Sequence, residues 1–510
     1  MQQFVNIEQT YGVFCLFGGM GGGALGAQMA SAEYRGLRGR AVILGSVDSD
    51  PDACADFEML TGVKATQLDL FDRQQYIDWW GVEPPADWRE ATPDDIRAAA
   101  QGIDPDVVII TAPCKGFSGL LSEARATSRK YQALNRLTFR GVFLALEAWR
   151  HNLPAFILFE NVPRISTRGR RFLSEIKRLL AAYGYVFDER HHDCGELGGL
   201  AQRRRRYLLV ARHPAKVTSY LYHPPRQRVR AIGEVLGQLP LPDDPAGGPM
   251  HRLPRLQWRT WVRLALIPPG GDWRDLQRVK PGQYRITYSP RDGALRVGAW
   301  DAPAGPVVGS AAVTSSNGMA AVADPRLPET PRFNNVQRVI GWNGPAGTVT
   351  GAAGTSNAAA VVADPRLGCR PRNGVYGVMA WDKPAHTITA AGDVHAGAAA
   401  VADPRIPADD ERGTWVIVSP WGYWHRPLTT LELLALQGFP TRRPDGSPIV
   451  LAGKSDRAWR ERIGNAVPPP TMAAIMGQML YSLLASETGD FRLDALQTGV
   501  WVRPEERVAN

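Results

Sequence analysis

The stretch VFCLFGGMGGGALGA, Val13 to Ala27, places six glycines in fifteen residues directly behind a short apolar run. Gly21, Gly23 and Gly26 satisfy the G-x-G-x-x-G spacing of a strand, a tight turn and a helix start that cradle a dinucleotide. An acidic residue, Asp48, follows about twenty residues on, at the end of a second apolar run. A nicotinamide enzyme is the first reading. S-adenosylmethionine asks for the same geometry, a carboxylate for its ribose and open backbone amides for its amino-acid end, so the loop alone leaves both ligands open.

The chain has 510 residues, enough for two or three domains, and its 44% hydrophobic content is that of a globular protein rather than a disordered one. Apolar runs such as VVIITA and AFILF fall far short of the roughly 18 residues of a membrane span, and the start MQQFVNIEQT lacks a basic, then apolar, signal pattern. A cytoplasmic protein without a membrane partner is therefore expected. The five cysteines, at 15, 54, 114, 194 and 369, have no paired spacing, which argues against a disulfide framework, a zinc ribbon or any other metal site. A net charge of +9 is compatible with a polyanionic partner without demanding one.

Along the first 215 residues, GVFCLF, AVILGSVD, DVVIITA, AFILFEN and RRYLLVA read as buried strands, and residues 131–150 and 170–182 carry helical spacing. This alternation predicts an α/β fold with a doubly wound, mostly parallel sheet and its ligands at the carboxyl ends of the strands. The third run ends in APCKGFS, where Cys114 by itself reads as a small buried hydrophobe as readily as a nucleophile. The fourth ends in FENVPRI, which sets Glu160 and Asn161 at the matching edge of a neighbouring strand, where a carboxylate caps, pairs or does chemistry. Gln202 and four arginines then lead into RRYLLVA; alternation along a strand turns Arg204 and Arg206 to one side and Arg203 and Arg205 to the other.

The ordered set FGGMGG, PCKGFS, ENV, QRRRR, RPLTTLELLALQGFP and IGNAVPPP resembles the motif series of the DNA cytosine-5 methyltransferases, over roughly residues 13–212 and 426–485. The resemblance implies a fold of the S-adenosylmethionine-dependent methyltransferase type and decides the opening question in favour of S-adenosylmethionine. It also implies that Cys114 adds to carbon 6 of a cytosine flipped out of double-stranded DNA, that Glu160 assists at ring nitrogen 3, and that Arg204 and Arg206 hold the base oxygen and its surroundings. By the same likeness the backbone from Phe17 through Gly19, Gly21 and Gly22 wraps the methionine part of the cofactor. Asp48 meets the ribose, Asp69 of QLDLF the adenine, and Asn465 and Val467 return beside the cofactor ahead of a helix from Thr471 to about Ser486.

Three positions depart from the family pattern. Cys15 stands where aspartate is usual, GGLAQ replaces the usual Gly-Val-Pro before the glutamine, and Lys115 follows Cys114 where glutamine is customary. Lys115 reads either as a phosphate contact beside the flipped base or as a partner for a carboxylate on the transferred carbon. The second option would make carboxy-S-adenosylmethionine the donor and 5-carboxymethylcytosine the product. Methyl transfer is the leading expectation. A tRNA cytosine methyltransferase is the other alternative, less well matched to the long middle segment.

That middle segment holds three repeats, in which Asp324, Asp364 and Asp403 head DPR triplets and Trp300, Trp342 and Trp381 recur with them. Short runs such as TVT and TIT between turn residues suggest hairpins in a smaller β-rich target-recognition domain. The repeats bury one another, and their arginines are candidates for reading a groove. The expected plan is a first catalytic part over 1–215, target recognition over 216–425, a hinge motif and return helix over 426–487 and a tail over 488–510, in a monomer.

Overall fold

The computed structural model describes residues 7–113, 128–218, 222–254, 256, 258–278, 376–388, 394, 399–406, 417 and 419–488, with the backbone of four short strands between 297 and 362. The chain divides into two compact units. The first comprises residues 1–253, 382–392 and 428–510, and the second residues 254–381 and 393–427. The first unit thus takes in residues 216–253 and a short piece of the third repeat, both beyond the boundary expected from sequence.

The first unit is built on eight strands: β1 (Ile7–Leu16), β2 (Ser31–Tyr34), β3 (Leu37–Asp48), β4 (Ala65–Gln67), β5 (Val107–Ile110), β6 (Phe156–Asn161), β7 (Val186–Asp193) and β8 (Arg205–Arg212). Their order is β2-β3-β1-β5-β6-β8-β7, with β4 also on β3. The centre, β3-β1-β5-β6, is parallel, and β4 joins β3 in parallel. β2 pairs antiparallel with β3, and β8 runs antiparallel between β6 and β7. All five apolar runs are strands, and the sheet is doubly wound and mostly parallel. β7, VFDERHHD, is polar and only half-buried because it lies on the sheet's edge, so it gives no apolar signal.

β1 is flanked by β3 on one side and β5 on the other, so the connections diverge at its carboxyl end. That divergence opens a crevice where a ligand binds in such sheets. The helices cover both faces. On one, Leu134, Leu137 and Val142 of the helix Arg129–Ala148 and Leu173, Ile176 and Leu180 of the helix Arg170–Ala182 pack on Phe14, Val108 and Ile157. On the other, Met472, Ile475, Met476 and Met479 of the helix Pro469–Glu487 pack on Val13, Ile109 and Leu158, beside the helix Gly22–Met29.

This second face explains part of the glycine cluster. A Cβ on Gly22 would lie 2.1 Å from the carbonyl oxygen of Val467, and one on Gly26 would lie 2.3 Å from that of Pro469. Backbone meets backbone there, leaving no room for a side chain. Gly19 and Gly21 are glycines for another reason, their φ of 52° and 89°.

In the second unit the repeats contain parallel strand pairs, not the hairpins expected. β9 (Val297–Ala299) pairs with β10 (Ala321–Ala323), β11 (Val339–Ile340) with β12 (Val361–Val362), and β13 (Val378–Ala380) with β14 (Ala400–Asp403), each in parallel. β15 (Trp424–Pro427) closes the last pair antiparallel. The strands are the short Ala/Val runs before each tryptophan and each DPR, and the stretch between them is long enough for the crossover a parallel pair needs. TVT lies outside the described residues, and Thr387 and Ile388 of TIT belong to no strand.

In the third repeat the DPR triplet closes on itself. The buried Asp403 carboxylate accepts from Arg405 Nε (3.1 Å) and Nη2 (3.0 Å) and from Arg426 Nε (3.0 Å) and Nη2 (2.7 Å). The Arg405 guanidinium also lies 4.9 Å from the centre of the Trp381 ring, a cation–π contact. Asp324 and Asp364 lie outside the described residues.

The two kinds of glycine separate experimentally. Gly22→Ala, which drives a methyl into a carbonyl, is expected to cost about 3 kcal/mol, whereas Gly19→Ala, with open space around its Cβ, costs about 1 kcal/mol for its left-handed backbone. Chemical denaturation of both variants checks this; equal costs would show that Gly22 is not held by packing.

Candidate active site at the carboxyl edge of the sheet

Because β1, β3, β5 and β6 are parallel, Leu16, Asp48, Ile110 and Asn161 end at one edge of the sheet. β8 is antiparallel, so its start reaches that same edge: Asn161 is opposite Tyr207, and Arg206 lies next to the end of β6. This is why the arginine motif precedes its strand while the other motifs follow theirs. Arg206 Nε stands 3.0 Å from Glu160 Oε1, both side chains being only 14% and 13% exposed. A carboxylate and a guanidinium are thereby held together in a half-closed site, where charge interactions are stronger than in water.

The alternation expected for the four arginines holds: Arg204 and Arg206 turn inward, Arg203 and Arg205 outward. The two inward arginines do different work. Arg204 is 1% exposed, and its guanidinium donates to main-chain carbonyls, from Nη1 to Ile388 (2.8 Å) and from Nη2 to Gly464 (3.0 Å) and Ala466 (3.0 Å). Both terminal nitrogens of Arg204 thus serve main-chain carbonyls, whereas Arg206 faces Glu160.

The glycine turn sits between β1 and β3. Phe17 has a φ of 57°, its carbonyl accepts from Thr111 Oγ1 (2.7 Å) just past β5, and its ring fills the space above Gly141. Asp48 accepts from the amides of Gly19 (2.9 Å) and Asp50 (3.0 Å), and burial raises its pKa above the usual carboxylate range. Each carboxylate oxygen has a second lone pair for a hydroxyl. A Cβ on Gly19 would meet nothing within 4 Å, and the buried Ser46 hydroxyl behind the turn has no hydrogen-bond partner among the described residues. An open backbone, a carboxylate and an unpaired hydroxyl fit the polar end of a nucleoside cofactor. Asp69 accepts from the amide of Phe71 (3.0 Å) and is also raised by burial. Asn465 ends the helix Asp456–Asn465 exposed, and Val467 is buried against Gly22.

Cys114 and Lys115 lie outside the described residues, just past Pro113 at the end of the β5 segment. The described cysteines are poor nucleophiles, since burial pushes the thiols of Cys15 and Cys54 up to about 12 and that of Cys194 to about 11. Cys15 packs in the core below the glycine turn and brings no charge there.

Residues 11–237 match the model of the C-5 cytosine-specific DNA methylases. Over that stretch, a little under half of its length, the chain is similar to the family. Among curated relatives, the chain is 28% identical over 260 residues to the Type II methyltransferase M.XorII of Xanthomonas oryzae pv. oryzae, covering 50% of either chain. The chain therefore spans about half the length of that relative. Among solved structures, the methyltransferase EhMeth of Entamoeba histolytica is 11% identical with a TM-score of 0.47, over 94% of this chain and 99% of that one. The Dnmt2 methyltransferase of S. pombe is 13% identical with a TM-score of 0.44, over 94% and 100%.

Two features of the structure have no counterpart in the sequence reading. Arg164, Arg168, Arg170 and Arg171, in PRISTRGRR directly after the ENV motif, are all exposed, and none pairs with a carboxylate among the described residues. Two of them open the helix Arg170–Ala182, which has no acidic residue in its first turn, although the helix dipole disfavours cations there. The second feature is the contact of residues 383–388 with the arginine motif. No group of metal-ligating side chains occurs among the described residues, and no helix there is long and apolar enough to cross a membrane.

The buried thiols predict a labelling pattern. In the native protein at neutral pH, Cys15, Cys54 and Cys194 should react with iodoacetamide at least about tenfold more slowly than free cysteine, as read by peptide mass spectrometry. Fast labelling of any of the three would contradict their burial.

Proposed function

We propose that this protein methylates carbon 5 of cytosine in double-stranded DNA, with S-adenosylmethionine as donor and Cys114 as nucleophile. The observation that carries the reading is the Glu160–Arg206 pair, set at the strand edge where the segment bearing Cys114 begins. Carbon 5 of cytosine is a weak nucleophile until a thiolate adds to carbon 6. Cys114 supplies that thiolate, Arg206 holds the base oxygen, and Glu160, protonated in the complex, donates its proton toward ring nitrogen 3 as negative charge builds there. When bound, S-adenosylmethionine supplies the electrophilic methyl group. The hydrogen at carbon 5 leaves to water, and the electron pair it releases expels the Cys114 thiolate. Access to carbon 6 requires the cytosine to leave the helix. Phe17, Gly19, Gly21, Gly22, Asp48, Asp69, Asn465 and Val467 would hold the cofactor.

Duplex DNA is favoured over tRNA by the long repeat segment; the exposed arginines at 164–171, which follow Glu160 in the chain, are available to the phosphates of either nucleic acid. Lys115 favours a second reading of the donor. An ammonium beside a sulfonium is unfavourable, and a carboxylate on the transferred carbon reverses that sign.

Trapping tests the chemistry. DNA containing 5-fluorocytosine should form a covalent adduct at Cys114, because fluorine cannot leave as a proton, and Cys114→Ala should abolish the adduct while retaining cofactor binding. An adduct on another cysteine overturns the assignment. Nucleoside mass spectrometry after incubation with each donor decides the product: only 5-methylcytosine, even with the carboxylated donor in excess, eliminates the Lys115 ion pair. Arg168→Ala, Arg170→Ala and Arg171→Ala should each weaken DNA binding irrespective of sequence. Each should also reduce the slope of log K against log salt by about 0.9 for every phosphate the variant no longer neutralises. Unchanged slopes would take these arginines off the DNA path.

A further inference from the structure

We propose that Arg204 is a positioning residue that couples the third repeat to the cofactor-side turn at Asn465, an inference that rests on the donor assignment above. Two backbone segments meet at the arginine motif, residues 383–388 of the repeat and residues 463–467 at the end of the helix Asp456–Asn465. The first lies alongside the motif like an added strand. The amide of Arg203 donates to the Ala385 carbonyl (2.7 Å), the Ala385 amide to Ala201 (2.8 Å), and the Thr387 hydroxyl to the Arg203 carbonyl (3.0 Å).

Two side chains of the motif then hold both segments at once. Gln202 accepts from the Ile388 amide (3.4 Å) and donates to Gln437 Oε1 (2.7 Å), whose own amide reaches the Ile463 carbonyl (2.9 Å). Arg204 places one nitrogen on the Ile388 carbonyl and the other on those of Gly464 and Ala466, on either side of Asn465. The planar fork of a guanidinium can serve two directions in this way; a lysine ammonium on its single stem cannot hold the same geometry. The turn so gripped continues into Val467, whose carbonyl fills the place of a Cβ on Gly22. A shift of the repeat segment therefore reaches the glycine loop through rigid backbone contacts, with Arg204 as the link.

The test is cofactor affinity without DNA, measured by titration calorimetry on the full chain, with S-adenosylmethionine as the ligand. A residue that only held the base would leave this affinity unchanged. Arg204→Lys should raise the Kd about tenfold, the size expected when the fork gives up one charge-assisted hydrogen bond, while Arg206→Lys, acting on the base, leaves it within about twofold. Thr387→Val, which touches no cofactor residue and removes a tie at the surface of the repeat, should raise it about threefold with an unchanged Tm. If Arg204→Lys fails to fold, Thr387→Val decides alone. Wild-type Kd values in both variants overturn the coupling. Failure of the wild-type protein to bind S-adenosylmethionine overturns instead the donor assignment on which it rests.

Discussion

The contact of Gly22 with the Val467 carbonyl, repeated one helical turn on by Gly26 with Pro469, ties early and late parts of the first unit together. The helix Gly22–Met29 and the helix Pro469–Glu487 approach at backbone distance, and neither the glycine turn nor the return motif has its final form without the other. A long insertion between two such partners is thermodynamically tolerable, because loop-closure entropy grows only logarithmically, by about 0.6 kcal/mol per doubling of length. The demand falls on kinetics instead: contacts so far apart in sequence form slowly. The glycines that look like a ligand signature are therefore partly a folding requirement. Gly22 and Gly26 serve the protein, and Gly19 and Gly21 serve the turn.

The reversal of β8 has a comparable effect on chemistry. In an all-parallel sheet the residues preceding a strand would lie at the opposite edge from Glu160. Running β8 antiparallel to β6 brings Arg206 back to the carboxyl edge, 3.0 Å from Glu160. The acid, the arginine, the glycine turn and the segment leading to Cys114 then share one edge of a rigid sheet. Chemistry that depends on positioning benefits from such a platform, since a displacement of about 1 Å can cost 10²-fold in rate.

The buried strands are legible in the sequence because runs such as VVII and FILF have no polar face to mislead, and the helix Arg170–Ala182 coincides with its sequence pattern. β7 is not legible, since an edge strand with one wet side is composed like a loop. In the repeats TVT and TIT attract a strand assignment by their β-branched content, while the strands are the plainer Ala/Val runs, whose pairing depends on partners some twenty residues away. The alternation of Arg204 and Arg206 follows from the sequence, but its consequence does not. Period-two geometry states which side a residue faces and is silent on what occupies that side. At 206 it is the Glu160 carboxylate, and at 204 it is a set of carbonyls brought from residues 388, 464 and 466.

The same limit governs the net charge of +9. An arginine's role follows from the acceptors within its reach. Arg405 and Arg426 are absorbed by Asp403, whose pKa the two guanidinium groups help to hold below the usual carboxylate range despite burial. Arg204 is absorbed by main-chain carbonyls and Arg206 by Glu160. Charges neutralised or buried in this way project little field into solvent. Arg164, Arg168, Arg170 and Arg171, exposed and without a carboxylate partner among the described residues, have no such internal account. Two of them, Arg170 and Arg171, open a helix whose dipole disfavours cations there. Under the proposed function, these are the guanidinium groups left open to the phosphates of a bound nucleic acid.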